Sequence, residues 1–235
     1  LASRFVNVTK TWSNTAEGVV FTLRLPRIIG AVLVGSALSL SGAAYQGVFK
    51  NPLVAPDLLG VSSGACVGAS VAILLHLNSF GVQAMAFVAG ILAVGLTLFI
   101  PRLIKNTNMT MLVLSGIIVK GIMDSVMGII KYVADPETEL QSITYWQLGS
   151  LTKVLPKDLF TVGPVIVAAS VIIFLLRWRI NILSLGDREA KTLGVSVTVV
   201  RNFIIICATL LTASAVCISG TIGWIGLVIP HFARM

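Results

Sequence analysis

The sequence predicts an all-α protein, a polytopic bundle of transmembrane helices, and three observations support this prediction. Only 11% of the 235 residues are charged and 56% are hydrophobic, whereas a soluble domain carries about 25% charged residues. Charged residues are absent from four long stretches, at residues 28–49, 58–101, 159–176 and 202–233. These stretches lack the strict alternation of a barrel strand, and backbone groups in lipid must be bonded within one segment, so we expect helices.

The apolar runs give the order of the membrane segments, because about 20 residues are needed to cross the lipid core. We predict six spans and one shorter apolar piece, at residues 25–49, 58–75, 82–100, 109–132, 159–176, 197–219 and 222–233. Residues 1–24 and 134–157 are polar and are expected outside the lipid, and residues 177–191 form a charged connection. The chain is predicted to be a single membrane-spanning domain, residues 1–235, and a fragment of a longer protein.

The net charge of +8 comes from basic residues in short segments between the apolar runs. Lys and Arg in such positions anchor helix ends at lipid headgroups, and no basic stripe with interleaved aromatic residues indicates nucleic-acid binding. Cys66, Cys207 and Cys217 lie in apolar runs without a C-x-x-C spacing, so neither a metal site nor a cofactor is predicted. The sequence G-x-x-x-x-G-K-[ST] does not occur, so an ATPase would have to be another subunit.

A G-x-S-x-G motif, the form of a hydrolase nucleophile elbow, occurs at residues 60–64. That motif requires a strand–turn–helix and triad partners, but here it opens an apolar run, which disfavours a hydrolase that uses Ser62. Gly60, Gly64 and Gly68 recur every four residues and predict a small-residue face for close helix packing.

Two charged residues, Lys120 and Asp124, lie near the middle of an apolar run. Four residues apart, they share a helix face and can neutralise each other. Intramembrane charges are costly and mark a polar path or the interior of a bundle. The pattern is compatible with a proton or ion relay and equally with a structural pair that faces another helix.

Residues 184–194 predict a short amphipathic helix outside the lipid. Ser184 and Asp187 have the S-x-x-D form of a helix start, and Gly194 suits the C-terminal cap. From the pattern alone, this helix is either a solvated connector or a docking element for a partner.

Short polar and glycine-containing sequences occur in order along the chain and together resemble the permease family of importers for iron chelates, haem and cobalamin. They are Arg24-Leu25-Pro26-Arg27, Ser41-Gly42, Gln46, Asn51-Pro52-Leu53, Pro56, Leu59-Gly60, Gly64-Ala65, Trp146, Gly149-Ser150, Leu185-Gly186-Asp187, Ala190, Leu193-Gly194, Gly220-Thr221-Ile222-Gly223, Ile225-Gly226-Leu227, Pro230-His231 and Arg234. Family members have about ten helices in each subunit, and six to seven membrane segments are predicted here.

The resemblance implies site residues and partners. Arg24 and Arg27 match external arginines that bind acidic residues of an extracytoplasmic substrate-binding protein, a contact suited to guanidinium and carboxylate groups. Docking against the ATP-binding cassette ATPase subunits is implied for Leu185, Gly186, Asp187, Glu189, Ala190, Leu193 and Gly194. Residues 50–57, 102–108 and 177–196 then face the cytoplasm.

The resemblance also places Gln46, Asn51 and Pro52 at the inner end of the first span. Pro52 is expected to end that helix. Gln46 and Asn51 are expected to bond exposed backbone there, and a role near an inner gate is the second possibility.

The resemblance implies a permease subunit, not an enzyme, in a bacterial or archaeal cell membrane. It would pair with a second permease subunit, identical or paralogous, and would import an iron chelate by alternating access driven by ATP hydrolysis in trans. A siderophore is the first choice of cargo, before haem, cobalamin and oxyanions. The alternative is a secondary transporter with the intramembrane charges Lys120 and Asp124 as the coupling pair. These residues stand where the family pattern leads us to expect small or neutral ones, so the resemblance implies no role for them.

Overall fold

A computed structural model of the chain describes residues 13–106, 108–152 and 154–235. In these ranges it contains eleven α-helices and no strand, and the all-α prediction is confirmed. The helices are α1 (Asn14–Gly18), α2 (Leu25–Phe49), α3 (Val61–Leu74), α4 (Ser79–Leu103), α5 (Met109–Val133), α6 (Glu139–Leu148), α7 (Pro156–Leu175), α8 (Arg177–Leu185), α9 (Asp187–Thr192), α10 (Val197–Ser219) and α11 (Ile225–Phe232). A π-helical segment, Val19–Arg24, joins α1 to α2, and a 3₁₀ turn, Pro56–Leu59, precedes α3.

Among the residues that the structure describes, five helical stretches are long and apolar enough to cross a membrane. They are Thr15–Phe49, which includes α2, and the helices α4, α5, α7 and α10. The apolar runs at 58–75 and 222–233 instead form shorter helices, of 14 residues in α3 and 8 in α11. Helix α3 begins late because the 3₁₀ turn and Gly60, with φ at 82°, occupy the start of its run.

The predicted outer loop at residues 1–24 is wrong for residues 14–24, which are helical. Ser13 caps this extension, because its hydroxyl accepts a hydrogen bond from the Ala16 N–H at 3.2 Å. Residues 1–12 lie outside the described residues. The connection at 134–157 contains the short helix α6.

Helix α10 is the centre of the bundle: 78% of the residues in its apolar window are buried, against 28% for α5. Polar pairs join it to α2, where Ser41 Oγ lies 2.8 Å from Thr212 Oγ1 and Tyr45 OH lies 3.1 Å from Thr209 Oγ1. Helix α5 therefore has the larger open face.

Glycines set two of the closest helix contacts. A Cβ on Gly64 or Gly68 would collide with backbone oxygens of α4, which confirms the predicted small-residue face for these two glycines. Gly60 is not part of it, because it precedes α3 and lies nearest to α5. A Cβ on Gly42 of α2 would overlap the carbonyl group of Gly226. This close approach seats α11 against the middle of α2.

Candidate functional site

Two interruptions of helical structure meet inside the bundle. One is the 3₁₀ turn before α3, and the other is the stretch 220–224, where Trp224 has a left-handed φ of 71°. Non-helical backbone at membrane depth is tolerated where protein buries it or where it lines a cavity. A cavity of about 270 Å³ lies between these two interruptions, and we call it the intramembrane cavity.

The intramembrane cavity has a polar lining contributed by several separate segments. The polar side chains are Asp57, Ser62, Ser63, Asp124, Gln147, Thr212 and Thr221. Helices α3 and α11 both begin at this cavity, and helix N-termini favour negative charge. The cavity therefore offers hydrogen-bond donors and acceptors to a polar ligand, while no cluster of three or more metal-binding side chains occurs anywhere in the described part of the chain.

Asp57 connects three segments at the edge of the intramembrane cavity. One carboxylate oxygen accepts a hydrogen bond from the Ser62 N–H at 3.2 Å, and the other lies 3.1 Å from Lys120 Nζ. The expected pair between Lys120 and Asp124 is not formed, and Asp124 has no ion pair within 4 Å among the residues that the structure describes. The reason is that Asp57 reaches Lys120 from another segment.

Sequence reasoning missed Asp57, although it carried a signal. An acidic residue just before an apolar helix is a common start of a helix, since a carboxylate can accept bonds from the first N–H groups. Its partner on α5 lies 63 residues away and could not be read from local spacing.

The side chains at the end of α2 bond exposed backbone, as expected. Gln46 Nε2 donates to the carbonyl oxygen of Leu227 at 3.2 Å, and Asn51 Oδ1 accepts from the Leu53 N–H at 2.9 Å. Lys50 has a left-handed φ of 52° and ends α2 before Pro52. The bond to Leu227 also ties α11 to α2. Their second possible role, near an inner gate, stays a prediction.

The segment at residues 177–194 contains α8 and α9. It is called the coupling arm below, after the ATPase-docking role that the family resemblance implies for it. The short helix is present, and Gly194, with φ at 76°, follows its end as predicted. Ser184 is not its cap but lies in the last turn of α8, where its hydroxyl donates to the Asn181 carbonyl at 2.6 Å. Ala190 is buried against the bundle, whereas Leu185 and Leu193 are exposed.

Asp187 fixes the coupling arm to two helices of the bundle. Arg201 of α10 donates to both carboxylate oxygens at 2.8 Å, and Lys50 at the end of α2 lies 2.9 Å from Oδ1. The bonds from Arg201 and then Lys50 hold the pKa of Asp187 below its ordinary value. The sequence pattern did not indicate either basic partner.

Arg24 and Arg27 lie at the opposite end of α2 from Lys50. They are separated by three positions on a continuous helix, so they share a face. Arg24 is exposed, while Arg27 is half-buried and its Nε atom is buried without a hydrogen-bond partner. The exposed guanidinium of Arg24 is therefore accessible to an external acceptor, whereas the Arg27 Nε atom is not.

Comparison with known proteins gives one consistent result. The profile described as the FecCD transport family matches residues 1–235. The chain is 42% identical over 217 residues to the probable iron chelatin transport system permease protein of Helicobacter pylori, covering 92% of this chain and 65% of the relative. It is 38% identical over 220 residues to the molybdate import system permease protein of Haemophilus influenzae, covering 93% and 65%.

A solved structure has the same fold. It is described as an inward-facing conformation of a metal-chelate type ABC transporter. The TM-score is 0.90 at 36% sequence identity, over 98% of this chain and 73% of that one. The chain spans 65% of the length of each of the two curated relatives from Helicobacter pylori and Haemophilus influenzae.

Proposed function

The chain belongs to the FecCD transport family and is a multi-pass protein of a bacterial or archaeal cell membrane, and from this premise we propose that it forms the central part of an importer's permease subunit. In this proposal the ATPase subunits, the external substrate-binding protein and a second permease subunit are separate chains. The permease itself makes and breaks no covalent bonds.

The observation that carries this proposal is the double attachment of the coupling arm. Asp187 holds Lys50 and Arg201 at the same time, so the arm is bonded to the ends of both α2 and α10. Exposed Leu185 and Leu193 give the arm an apolar outer surface on which an ATPase subunit could dock. A displacement of the arm would then move the two helices together.

We infer alternating access as the mechanism. Closure of an ATPase dimer on ATP would push the coupling arms, and the bundles would rotate as rigid bodies to open on the other side. The intramembrane cavity would form part of the path, and the largely open face of α5 would lie against the second permease subunit. Orientation follows the family pattern, with Arg24 outside and Asp187 in the cytoplasm.

An iron chelate is the proposed cargo, with a ferric siderophore as the first choice. The relative from Helicobacter pylori is named for iron chelatin, which supports this choice. The relative from Haemophilus influenzae is named for molybdate at a similar identity, so an oxyanion is the main competing class.

The test is reconstitution of the full-length permease with its ATPase and binding protein in proteoliposomes. We expect uptake of a labelled ferric siderophore only when ATP is present in the vesicle lumen, on the side of the membrane where the ATPase subunits are bound. Parallel uptake assays with haem, cobalamin and molybdate measure selectivity. Uptake that follows a proton gradient in vesicles without any ATPase subunit would overturn the proposal in favour of the secondary transporter.

A further inference from the structure

A basic cavity opens at the Lys50 end of the bundle, between the end of α2 and the first helix of the coupling arm, and it is separate from the intramembrane cavity. It has a volume of about 580 Å³ and lies between α2, α7 and α8. Lys50, Arg177 and Arg234 all line it, and Asn51, Asn181 and Ser184 add neutral hydrogen-bonding groups. No acidic side chain is among its lining residues.

The positive charge of the basic cavity is only partly compensated. Lys50 is paired with Asp187, but that carboxylate is shared with Arg201. The Arg177 guanidinium lies 4.5 Å from the ring centre of Phe174, which orients it without neutralising it. Within the ranges that the structure describes, neither Arg177 nor Arg234 has a carboxylate within 4 Å. The cavity therefore carries a net positive charge that fits an anion.

A second cavity, also about 580 Å³, adjoins the basic one along α2 and α7 and reaches α11. Leu40 and Ala43 line both cavities, so these two residues mark where the cavities adjoin. The second cavity has a mainly apolar wall, including Leu33, Ile166 and Ile229. It runs along α2 from Ala43 back to Leu33, away from the basic residues and toward the membrane interior.

We propose that these two cavities form one binding site for an anionic phospholipid. The phosphate of the headgroup lies among Arg177, Arg234 and Lys50, where guanidinium groups donate charge-assisted hydrogen bonds. One acyl chain fills the apolar groove beside Leu40. A soluble anion would use only the basic half, and a neutral lipid only the apolar half, whereas an anionic phospholipid matches both. The lipid belongs to the cytoplasmic leaflet, an assignment that rests on the orientation in the proposed function.

The test is native mass spectrometry of the full-length permease in its nucleotide-free complex, titrated with phosphatidylglycerol and phosphatidylcholine. We expect phosphatidylglycerol to be retained preferentially. The double variant Arg177→Gln, Arg234→Gln should weaken its binding roughly thirtyfold, at about 1 kcal/mol for each basic residue at an anionic headgroup. Arg179→Gln is the matched control, since Arg179 is an exposed arginine of α8 that does not line the cavity, and its binding should equal that of the wild type.

A second variant tests the apolar half. Ala43→Phe fills the junction of the two cavities and should weaken phosphatidylglycerol binding. Glycerol phosphate has no acyl chain, so it should compete poorly with phosphatidylglycerol for the wild-type site. Complex assembly and thermal unfolding of every variant show that it is folded.

Two results would overturn the lipid site. One is that the wild type retains phosphatidylglycerol no better than phosphatidylcholine, which would mean that the basic residues do not recognise the headgroup or that another part of the full-length chain or a second copy covers the groove. The other is unchanged phosphatidylglycerol binding in the double variant. Neither readout requires transport, so failure of the lipid site and failure of the proposed function are separable.

Discussion

Asp57 and Lys120 form an ion pair between two segments that are 63 residues apart, with 3.1 Å between Oδ2 and Nζ. Asp57 also accepts the Ser62 N–H. One carboxylate therefore joins the turn before α3 to the middle of α5. The side chains are 35% and 46% exposed, so the pair is only partly buried.

Replacing either partner of this ion pair alone should destabilise the folded protein more than replacing both. Asp57→Asn or Lys120→Met leaves one charge without its partner at membrane depth, whereas the double variant leaves neither. We expect a coupling of about 1 kcal/mol in a double-mutant cycle, measured from thermal unfolding of the full-length permease. Asp124→Asn is the control and should change the midpoint little. Additive single-variant effects would contradict the pair's contribution.

Charge reversal at the outer end should weaken docking of the binding protein. Arg24→Glu with Arg27→Glu replaces two guanidinium donors by carboxylates, so we expect a loss of affinity of roughly tenfold or more. The wild-type affinity should fall with added salt. Surface plasmon resonance on reconstituted complexes measures both effects. ATPase assembly should be unaffected, and Arg102→Glu, a reversal at the other end of the bundle, should leave docking intact.

The coupling arm should transmit ATP hydrolysis to transport. Asp187→Lys with Glu189→Lys removes the acceptor of Lys50 and Arg201 and reverses the exposed charge beside it, so hydrolysis should continue while uptake falls. Parallel measurements of phosphate release and cargo uptake in proteoliposomes give the coupling ratio. Glu189→Gln alone keeps the attachment through Asp187 and should stay coupled. A wild-type ratio in the double variant would remove the docking role.

The attachment of the arm should weaken in acid. Because the folded-state pKa of Asp187 is lowered, its contribution to stability is complete above the unfolded value of about 3.9 and is lost as the pH falls below it. At neutral pH, Asp187→Asn should therefore melt at a lower temperature than the wild type, and this gap should shrink below about pH 4. Thermal unfolding across that range measures it, and a constant gap would contradict the assignment.

The contact between α2 and α11 should depend on a glycine. Gly42→Ala places a methyl group into the carbonyl group of Gly226 and should destabilise the protein by about 1–3 kcal/mol. Gly35→Ala in the same helix meets nothing within 4 Å and should be neutral or slightly stabilising. Equal unfolding midpoints for the two variants would contradict this packing.

The apolar runs predicted most of the fold, because the need to bond every backbone group in lipid leaves helices as the structure for long apolar segments. The predictions of secondary structure that were wrong concern segments outside the long apolar runs, where this constraint does not apply. Residues 14–24 are polar enough for a loop, yet Ser13 starts a helix there. Ser184 matched a capping motif, but α8 continues past it to Leu185.

The site was predicted less completely than the fold. Local spacing paired Lys120 with Asp124. The actual partner, Asp57, is separated from α5 in the sequence by two helices, α3 and α4. Asp187 was named from the family pattern, but its bonds to Lys50 and Arg201 depend on how α2 and α10 end beside each other. Tertiary pairing of this kind has no periodic signature in one sequence.

The polar face of α2 also constrains how the protein is made. Tyr45, Ser41 and Gln46 take partners that lie 164, 171 and 181 residues later in the chain. During synthesis α2 leaves the ribosome long before Thr209, Thr212 and Leu227 exist. Until then the two hydroxyl groups lack these partners, whereas the Gln46 amide already has an acceptor in the Val54 carbonyl oxygen, eight residues further on. The polar contacts of α2 with α10 and α11 can thus form only after most of the chain has been made.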